Sequence, residues 1–202
     1  YWHPAPYYWP NPIPGLPYIR CDGQRVPGTR LYEPKSDQYD RTRLQRLFDD
    51  TLVLSLAAHI FDDERYGHHA AGLCKRWFID NEMAMHPHLN YAQVRYGYNH
   101  NIGSSAGIIE FKDIYFFLDA VRLLEQRGYL SVDDQDCFKA WLQTYLCWLR
   151  ESPQGKKERA SKNNHGTYYD LQVGAIAAYL GDFDLLQDTL RDSQCRLFSQ
   201  ID

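Results

Sequence analysis

Apolar residues recur at helical spacing over most of the chain that follows residue 39. One face of the first such stretch carries Leu44, Leu47, Phe48, Leu52 and Leu56. A second stretch ends near residue 78, a polar interval covers residues 80–110, and four more stretches follow. Apolar positions at i, i+3, i+4 and i+7 are typical of amphipathic helices. The pattern therefore predicts six helices, the last of which has its apolar face at Phe183, Leu186 and Leu190.

Short acidic turns separate neighbouring helices. Asp63, Asp182 and the pair Ser131 and Asp134 stand where a new helix is predicted to start. Side-chain oxygens at such positions accept hydrogen bonds from the free N–H groups of a first turn, and Ser131 and Asp134 have the spacing of a capping box. Successive helices joined by short turns form hairpins that bury their apolar faces by stacking. We therefore predict an all-α fold, an (α/α) toroid or barrel of antiparallel helical hairpins.

The first 39 residues have a different composition from the rest. Eight of the ten prolines fall within the first 34 residues, among many aromatic side chains. Proline removes backbone donors and disfavours helix at the residue before it, so residues 1–39 are predicted to be an extended arm that lies on the helices. We expect one domain over residues 1–202, with the arm at 1–39 and the helical hairpins at 40–202.

Charge and composition exclude several classes of function. The net charge of −4 argues against a nucleic-acid partner, because such proteins carry clustered Lys and Arg. The sequence has no run of eighteen apolar residues, so we expect no membrane partner. His68-His69 and His86-Pro87-His88 lack metal-ligand spacing, and the cysteines form no zinc pattern. We expect neither a metal nor another cofactor. The oligomeric state stays open.

The strongest local signal for chemistry covers residues 162–170, with the sequence Lys-Asn-Asn-His-Gly-Thr-Tyr-Tyr-Asp. It lies at the start of the fifth predicted helix, where free N–H groups and the helix dipole favour an anion. Asn164 and His165 offer uncharged or protonatable donors that would hold a carboxylate. The alternative interpretation is that Asn and Gly here are ordinary capping and turn residues.

This motif resembles the Asn-Asn-His motif of the alginate lyase superfamily. Further blocks resemble the same family in the same order along almost the whole chain: residues 5–12, 15–23, 90–93, 107–110 and 162–172. The resemblance implies an (α/α) toroid that cleaves uronic-acid polysaccharides by β-elimination. By similarity, Asn164 and His165 stabilise the charge that develops on the substrate carboxylate.

The family also uses a tyrosine as base and acid, with a nearby arginine. Both lie in a segment beyond the point that matches Asp202. We therefore expect the chain to be part of a longer protein, trimmed at both ends, with an incomplete catalytic apparatus.

Further residues are candidates for contacts to the sugar. Some lie in the arm and some in the polar interval, where loops on a rigid scaffold commonly carry function. Two more lie within the stretch 162–170. The full set is Tyr8, Trp9, Arg20, Tyr91, Gln93, Arg95, His100, Asn163 and Tyr168. For many of them a role as solvated loop residues explains the sequence equally well.

The leading hypothesis is thus a polysaccharide lyase whose partner is an anionic polysaccharide such as alginate, polymannuronate or glucuronan. A glycoside hydrolase on the same fold would need two facing carboxylates, for which Glu110 and Asp170 are the candidates. A non-catalytic carbohydrate-binding toroid is the third alternative. Polymers of this size are met outside the cell, so we expect a secreted or periplasmic protein.

Overall fold

The computed structural model describes residues 1–198, and α-helices make up most of its regular secondary structure. Its seven α-helices are, in chain order, α1 Asp40–Phe61, α2 Glu64–Phe78, α3 Ile114–Gln126, α4 Val132–Glu151, α5 Pro153–Arg159, α6 Asn164–Leu180 and α7 Phe183–Phe198. Two short strands, β1 Tyr8–Trp9 and β2 Ile19–Arg20, form an antiparallel pair within the arm. Short 3-10 segments cover Ser36–Gln38, Asn99–Asn101 and Ser105–Phe111.

The long helices form antiparallel hairpins and pack in two layers, with one helix of each hairpin in each layer. In one layer α1 lies against α3, and α3 lies against α6. In the other, α2 packs on α1, α4 contacts both α2 and α6, and α7 packs on α6. Phe117 of α3 and Phe138 of α4 join the middle hairpin through an edge-to-face ring contact. This arrangement confirms the predicted all-α, (α/α) toroid architecture.

The predicted turns cap the helices. The side chain of Asp63 accepts from the N–H of Arg65 at the start of α2. Ser131 and Asp134 form a complete capping box at α4, and Asp182 accepts from the N–H of Leu185 in α7. These oxygens satisfy donors that a helix leaves free in its first turn, so the capping predictions are confirmed.

Aromatic side chains fill the space between the layers. Phe48, Phe111 and Phe117 are fully buried, and the ring centroid of Phe48 lies 5.3 Å from that of Phe111 and 5.0 Å from that of Phe117. Tyr145 stacks on Trp141 with 5.5 Å between their centroids. The hydroxyl of Tyr145 donates to Gln172 of α6 over 3.0 Å, so the polar group of this buried ring is satisfied.

Three sequence predictions about the helices were wrong. The stretch 151–163, predicted to be a polar insertion, contains helix α5, which begins with Pro153 and is capped by Ser152. Leu56 of α1 is exposed. On α7, the predicted residue Leu186 does face α6, together with Thr189, but Phe183 and Leu190 are exposed.

The arm lies along one end of the helical layers, as predicted. The N–H of His3 donates to the carbonyl of Tyr91, and the N–H of Val94 donates to the carbonyl of His3. The buried carboxylate of Glu110 accepts from the Tyr1 hydroxyl and contacts Nδ1 of His3 over 2.7 Å. A segment with few regular hydrogen bonds of its own is thus held by bonds to residues 91–110. Within residues 1–198, no helix has the length and apolar character needed to cross a membrane.

Candidate active site

Asn164 and His165 occupy the first turn of α6. Asn163 precedes them as the N-cap, and its side chain accepts from the N–H of His165 over 3.0 Å. Gly166 follows because the backbone comes very close here: a Cβ at this position would lie 2.1 Å from the carbonyl oxygen of Ser161. The cap and the glycine together fix the direction in which the two site residues leave the helix.

The imidazole of His165 is oriented by Glu158 of α5. Its Nδ1 lies 2.6 Å from a carboxylate oxygen of Glu158, which is only 2% exposed. The hydrogen bond to Glu158 raises the pKa of His165 above its ordinary value, although partial burial opposes this. With Nδ1 donating to the carboxylate, Nε2 is left for a ligand. Glu158 therefore orients the imidazole of His165 and favours its protonated form.

These residues open into a cleft of about 840 Å³. The arm contributes one wall, with His3, Tyr8 and Arg20 among its residues. The opposite side comes from the segment 93–112 and from the start of α6. A cavity of this size is large enough for a small ligand or for part of a polymer. The arm is therefore part of the site.

The cleft is cationic, although the whole chain is acidic. Six basic side chains line it within the described residues: Arg20, Arg25, Arg30, Arg41, Arg95 and Lys112. Only two carboxylates do so, Asp22 and Glu110, and Glu110 is already held by His3 and Tyr1. Arg25, Arg30 and Arg95 form no ion pair within residues 1–198. An anionic ligand would supply the missing partners.

The orientation of the helices adds to the positive potential of the cleft. Arg41 lies at the start of α1, Lys112 just before α3, and Asn164 at the start of α6, and all three line the cleft. The N-terminal ends of the α1, α3 and α6 layer therefore meet at the site. Such ends carry partial positive charge, which stabilises anions nearby.

The structure brings some of the predicted sugar contacts together and not others. Tyr8, Arg20, Gln93 and Arg95 line the cleft with Asn164 and His165. Arg95 lies over the ring of Tyr8, 4.7 Å from its centroid.

The other five candidates lie outside the cleft lining. The indole of Trp9 donates to the carbonyl of Gln24 over 3.0 Å within the arm. Tyr91 and His100 are exposed, and Asn163 is the α6 cap. The ring of Tyr168 packs beneath the ammonium of Lys112, with 5.6 Å from the nitrogen to the ring centroid.

Sequence reasoning missed several residues of the site. Glu158 lies in a stretch read as polar insertion, and Arg25, Arg30, Arg41 and Lys112 had no distinguishing spacing. The arm contains no higher proportion of Lys and Arg than the rest of the chain, so composition gave no signal for the cationic wall. Within the described residues, no group of three or more His, Cys, Asp or Glu side chains is placed to hold a metal ion.

The arrangement can bind a carboxylate and stabilise additional negative charge on it. Asn164 offers an amide, and His165 an imidazole whose protonated form is favoured by Glu158. Donors fixed in place before reaction stabilise developing charge more effectively than water, since they need no reorganisation.

Comparisons with known proteins show which family this chain resembles. The family model for alginate lyase matches residues 1–202. A crystal structure of an alginate lyase from Bacteroides ovatus matches with a TM-score of 0.90 and 36% sequence identity. That match covers 100% of this chain and 52% of the Bacteroides chain, so the chain spans about half the length of that structure. A comparison with curated proteins gave no match. Because the family model covers the whole sequence, the chain belongs to the alginate lyase family.

Proposed function

We propose that the protein containing this chain is a polysaccharide lyase that cleaves a uronic-acid polymer by β-elimination. The polymer is alginate, for example its polymannuronate blocks, or glucuronan. The observation that carries the proposal is the position of Asn164 and His165 in a cleft lined by six basic side chains. A polymer with one carboxylate on each sugar matches that charge.

The chemistry explains why these residue types are needed. The proton on the carbon that bears the carboxylate is only weakly acidic while the carboxylate keeps its full negative charge. The amide of Asn164 and the imidazole of His165 would bind the carboxylate oxygens as the proton leaves. Binding that strengthens as charge develops lowers the barrier to the elimination. Glu158 holds His165 in the orientation and protonation state that this requires.

The elimination also needs a base that takes this proton. As a C=C double bond forms, the glycosidic C–O bond breaks, and an acid must protonate the leaving oxygen. The family resemblance assigns both roles to one tyrosine. We propose that this tyrosine and its arginine come from the part of the family sequence that follows residue 202. Within this chain, Tyr8, Arg20, Gln93 and Arg95 bind the sugars on either side of the reacting unit, because they line the cleft with His165.

The hydrolase alternative receives no support from the geometry. Asp170 does not line the cleft; its carboxylate lies 3.1 Å from Arg196 of α7. Glu110 is 4% exposed and bound by His3 and Tyr1. A hydrolase needs two carboxyl groups that face each other across the scissile bond, and these two do not. Since the substrate is a large polymer, we propose a secreted or periplasmic location.

The decisive experiment supplies polymannuronate, polyguluronate and glucuronan to the full-length protein. Lyase activity produces an unsaturated uronate that absorbs in the ultraviolet, whereas hydrolysis produces reducing ends without that absorbance. We expect absorbance from at least one polymer, and a loss of at least about a hundredfold in kcat for His165→Ala. His69→Ala is the matched control, because His69 is exposed on α2.

Two results would refute the proposal. Reducing ends without absorbance would identify a hydrolase. Binding of the polymers with no cleavage of any of them would identify a carbohydrate-binding module.

A further inference from the structure

A second cavity adjoins the cleft beyond Arg95. Its volume is about 560 Å³, and Gln93, Arg95, Tyr98, Ser104, Gln154 and Lys157 are among its lining residues. Gln93, Arg95 and Ser104 also line the cleft that holds His165. The two cavities therefore share a wall, and a linear ligand that fills one is led into the other.

Arg95 stands at the boundary between them. Its guanidinium lies between two tyrosine rings, 4.7 Å from the centroid of Tyr8 and 5.2 Å from that of Tyr98. Tyr8 belongs to the cleft and Tyr98 to the second cavity. Stacking on ring faces holds the plane of a guanidinium and leaves its N–H groups at the edge for a carboxylate. Within residues 1–198, Arg95 has no acidic partner.

Lys157 adds a second positive charge on the far side. It projects from α5 and forms no ion pair in the part of the chain that the structure describes. Its neighbour Lys156 is 3.3 Å from Glu151 and does not line the cavity. None of the described residues that line the second cavity is acidic. Two unpaired cations without a carboxylate nearby favour an anionic occupant.

The shared wall is built to hold its shape. Gly103 packs so closely that a Cβ there would lie 1.8 Å from the carbonyl oxygen of Ala92. Gln93 adopts the left-handed backbone conformation, with φ of 54°, which is uncommon for a residue with a side chain. Strained positions of this kind are retained mainly where a site needs them. The cavity is therefore formed before a ligand arrives.

We propose that the second cavity binds the carboxylate of a neighbouring uronate in the same chain, held between Arg95 and Lys157. This inference rests on the proposed function and extends it: the substrate runs through both cavities, so the protein acts on oligouronates long enough to fill them. The carboxylate at His165 and the one at Lys157 belong to different sugars.

The test measures binding and cleavage of oligouronates of defined length by the full-length protein and its Lys157→Gln variant. For oligomers of six or more sugars, we expect Lys157→Gln to weaken binding by about fivefold, measured by calorimetry. Binding of oligomers of two or three sugars, which fill only the cleft around His165, should be unchanged. In cleavage assays the loss should appear in KM and not in kcat. Lys156→Gln is the matched control, and it should behave as the unmodified protein at every length.

The outcomes separate this inference from the proposed function. Cleavage of uronate polymers with no length-dependent effect of Lys157→Gln overturns the second subsite and leaves the lyase assignment in place. Length-dependent binding without cleavage supports the subsite and refutes the lyase. If no oligouronate binds, both are refuted.

Discussion

The orientation of His165 depends on a carboxylate seven positions earlier in the chain. Glu158 is buried, and its oxygen lies 2.6 Å from Nδ1 of His165. Glu158→Gln keeps the size of the side chain but removes its charge. The pKa of His165 should then fall, because the hydrogen bond to Glu158 is the main reason that this pKa is raised. We expect a kcat about tenfold lower with a smaller change in KM. An NMR titration of the His165 ring together with the pH profile of kcat measures both effects.

The sign of the accompanying stability change follows from the raised pKa. A histidine whose pKa is raised in the folded state contributes stability at pH values below its unfolded pKa, and loses it as pH rises through the folded pKa. Glu158→Gln should therefore destabilise the protein at acidic pH more than at alkaline pH. Glu151→Gln is the control, since Glu151 is exposed at the end of α4. An unchanged pKa of His165 in Glu158→Gln would show that Glu158 is only a packing residue.

Gly166 allows the first turn of α6 to pack closely against the turn that precedes it. A Cβ there would meet the carbonyl oxygen of Ser161 at 2.1 Å and a guanidinium nitrogen of Arg196 at 2.7 Å. Gly166→Ala should therefore lower the free energy of unfolding by about 2 kcal/mol and displace His165. Denaturant unfolding and kcat measure the two effects.

The contrasting variant for this prediction is Gly72→Ala in the middle of α2, where a Cβ has nothing within 4 Å. Here alanine should raise stability by about 0.5–1 kcal/mol, because glycine is the poorer helix former. If both variants had the same effect, the close approach at Gly166 would not matter.

How much of the site was predictable depended on distance along the chain. Asn164 and His165 are adjacent in a motif, so the sequence was sufficient to identify them. Glu158 and Arg41 reach the same cleft only because α5 and α1 pack against their neighbours. Spacing along a sequence does not encode such contacts. The role of Glu158 was therefore visible only in the structure.

At the scale of elements, local signals succeeded and longer-range ones failed. The helices and their caps follow from hydrogen bonding within a few residues. The extended conformation of the arm follows from its prolines, although its position depends on bonds to residues 91–110. Helix α5 was missed because its polar sequence has no apolar period, and it is held by contacts to the segment 105–111 and to α4. The face of α7 was misread because an apolar period shows which residues are hydrophobic. It does not show which of them a neighbouring helix covers.

The contact between α6 and α7 should give the protein a pH-dependent stability. Burial raises the pKa of Asp170 to about 6, although Arg196 opposes this from 3.1 Å. A carboxyl group whose pKa is raised by folding contributes stability at low pH and loses it as pH rises through the folded value. Between about pH 4 and pH 7, the protein should lose about 2 kcal/mol relative to Asp170→Asn. Urea unfolding of both proteins at several pH values measures the difference.

The matched control for that pH series is Asp184→Asn, since Asp184 is exposed in the first turn of α7. Its stability should follow that of the unmodified protein across the range. A difference between the unmodified protein and Asp170→Asn that stays constant with pH would mean that Asp170 is ionised at its ordinary pKa in the folded state.

At the scale of the whole molecule, charge is separated between the surface and the cleft. The chain has a net charge of −4, yet the cleft gathers six basic side chains and the N-terminal ends of three helices. The rest of the molecule therefore has a negative net charge, which opposes a polyanion, so the positive potential of the cleft attracts the ligand at short range. Dissolved salt screens charges over about 10 Å at 0.1 M.

Binding of uronate oligomers should therefore weaken steeply with salt. Between about 0.05 and 0.5 M NaCl we expect the dissociation constant to rise by about tenfold, because each ligand carboxylate loses part of its attraction to the cleft. A neutral oligosaccharide of the same length should show no such dependence. Arg30→Gln should reduce the slope, since Arg30 lines the cleft and forms no ion pair in the described residues. Arg76→Gln, on the exposed side of α2, should leave it unchanged. If the two variants gave the same slope, the attraction would come from the molecule's overall charge distribution and not from the cleft.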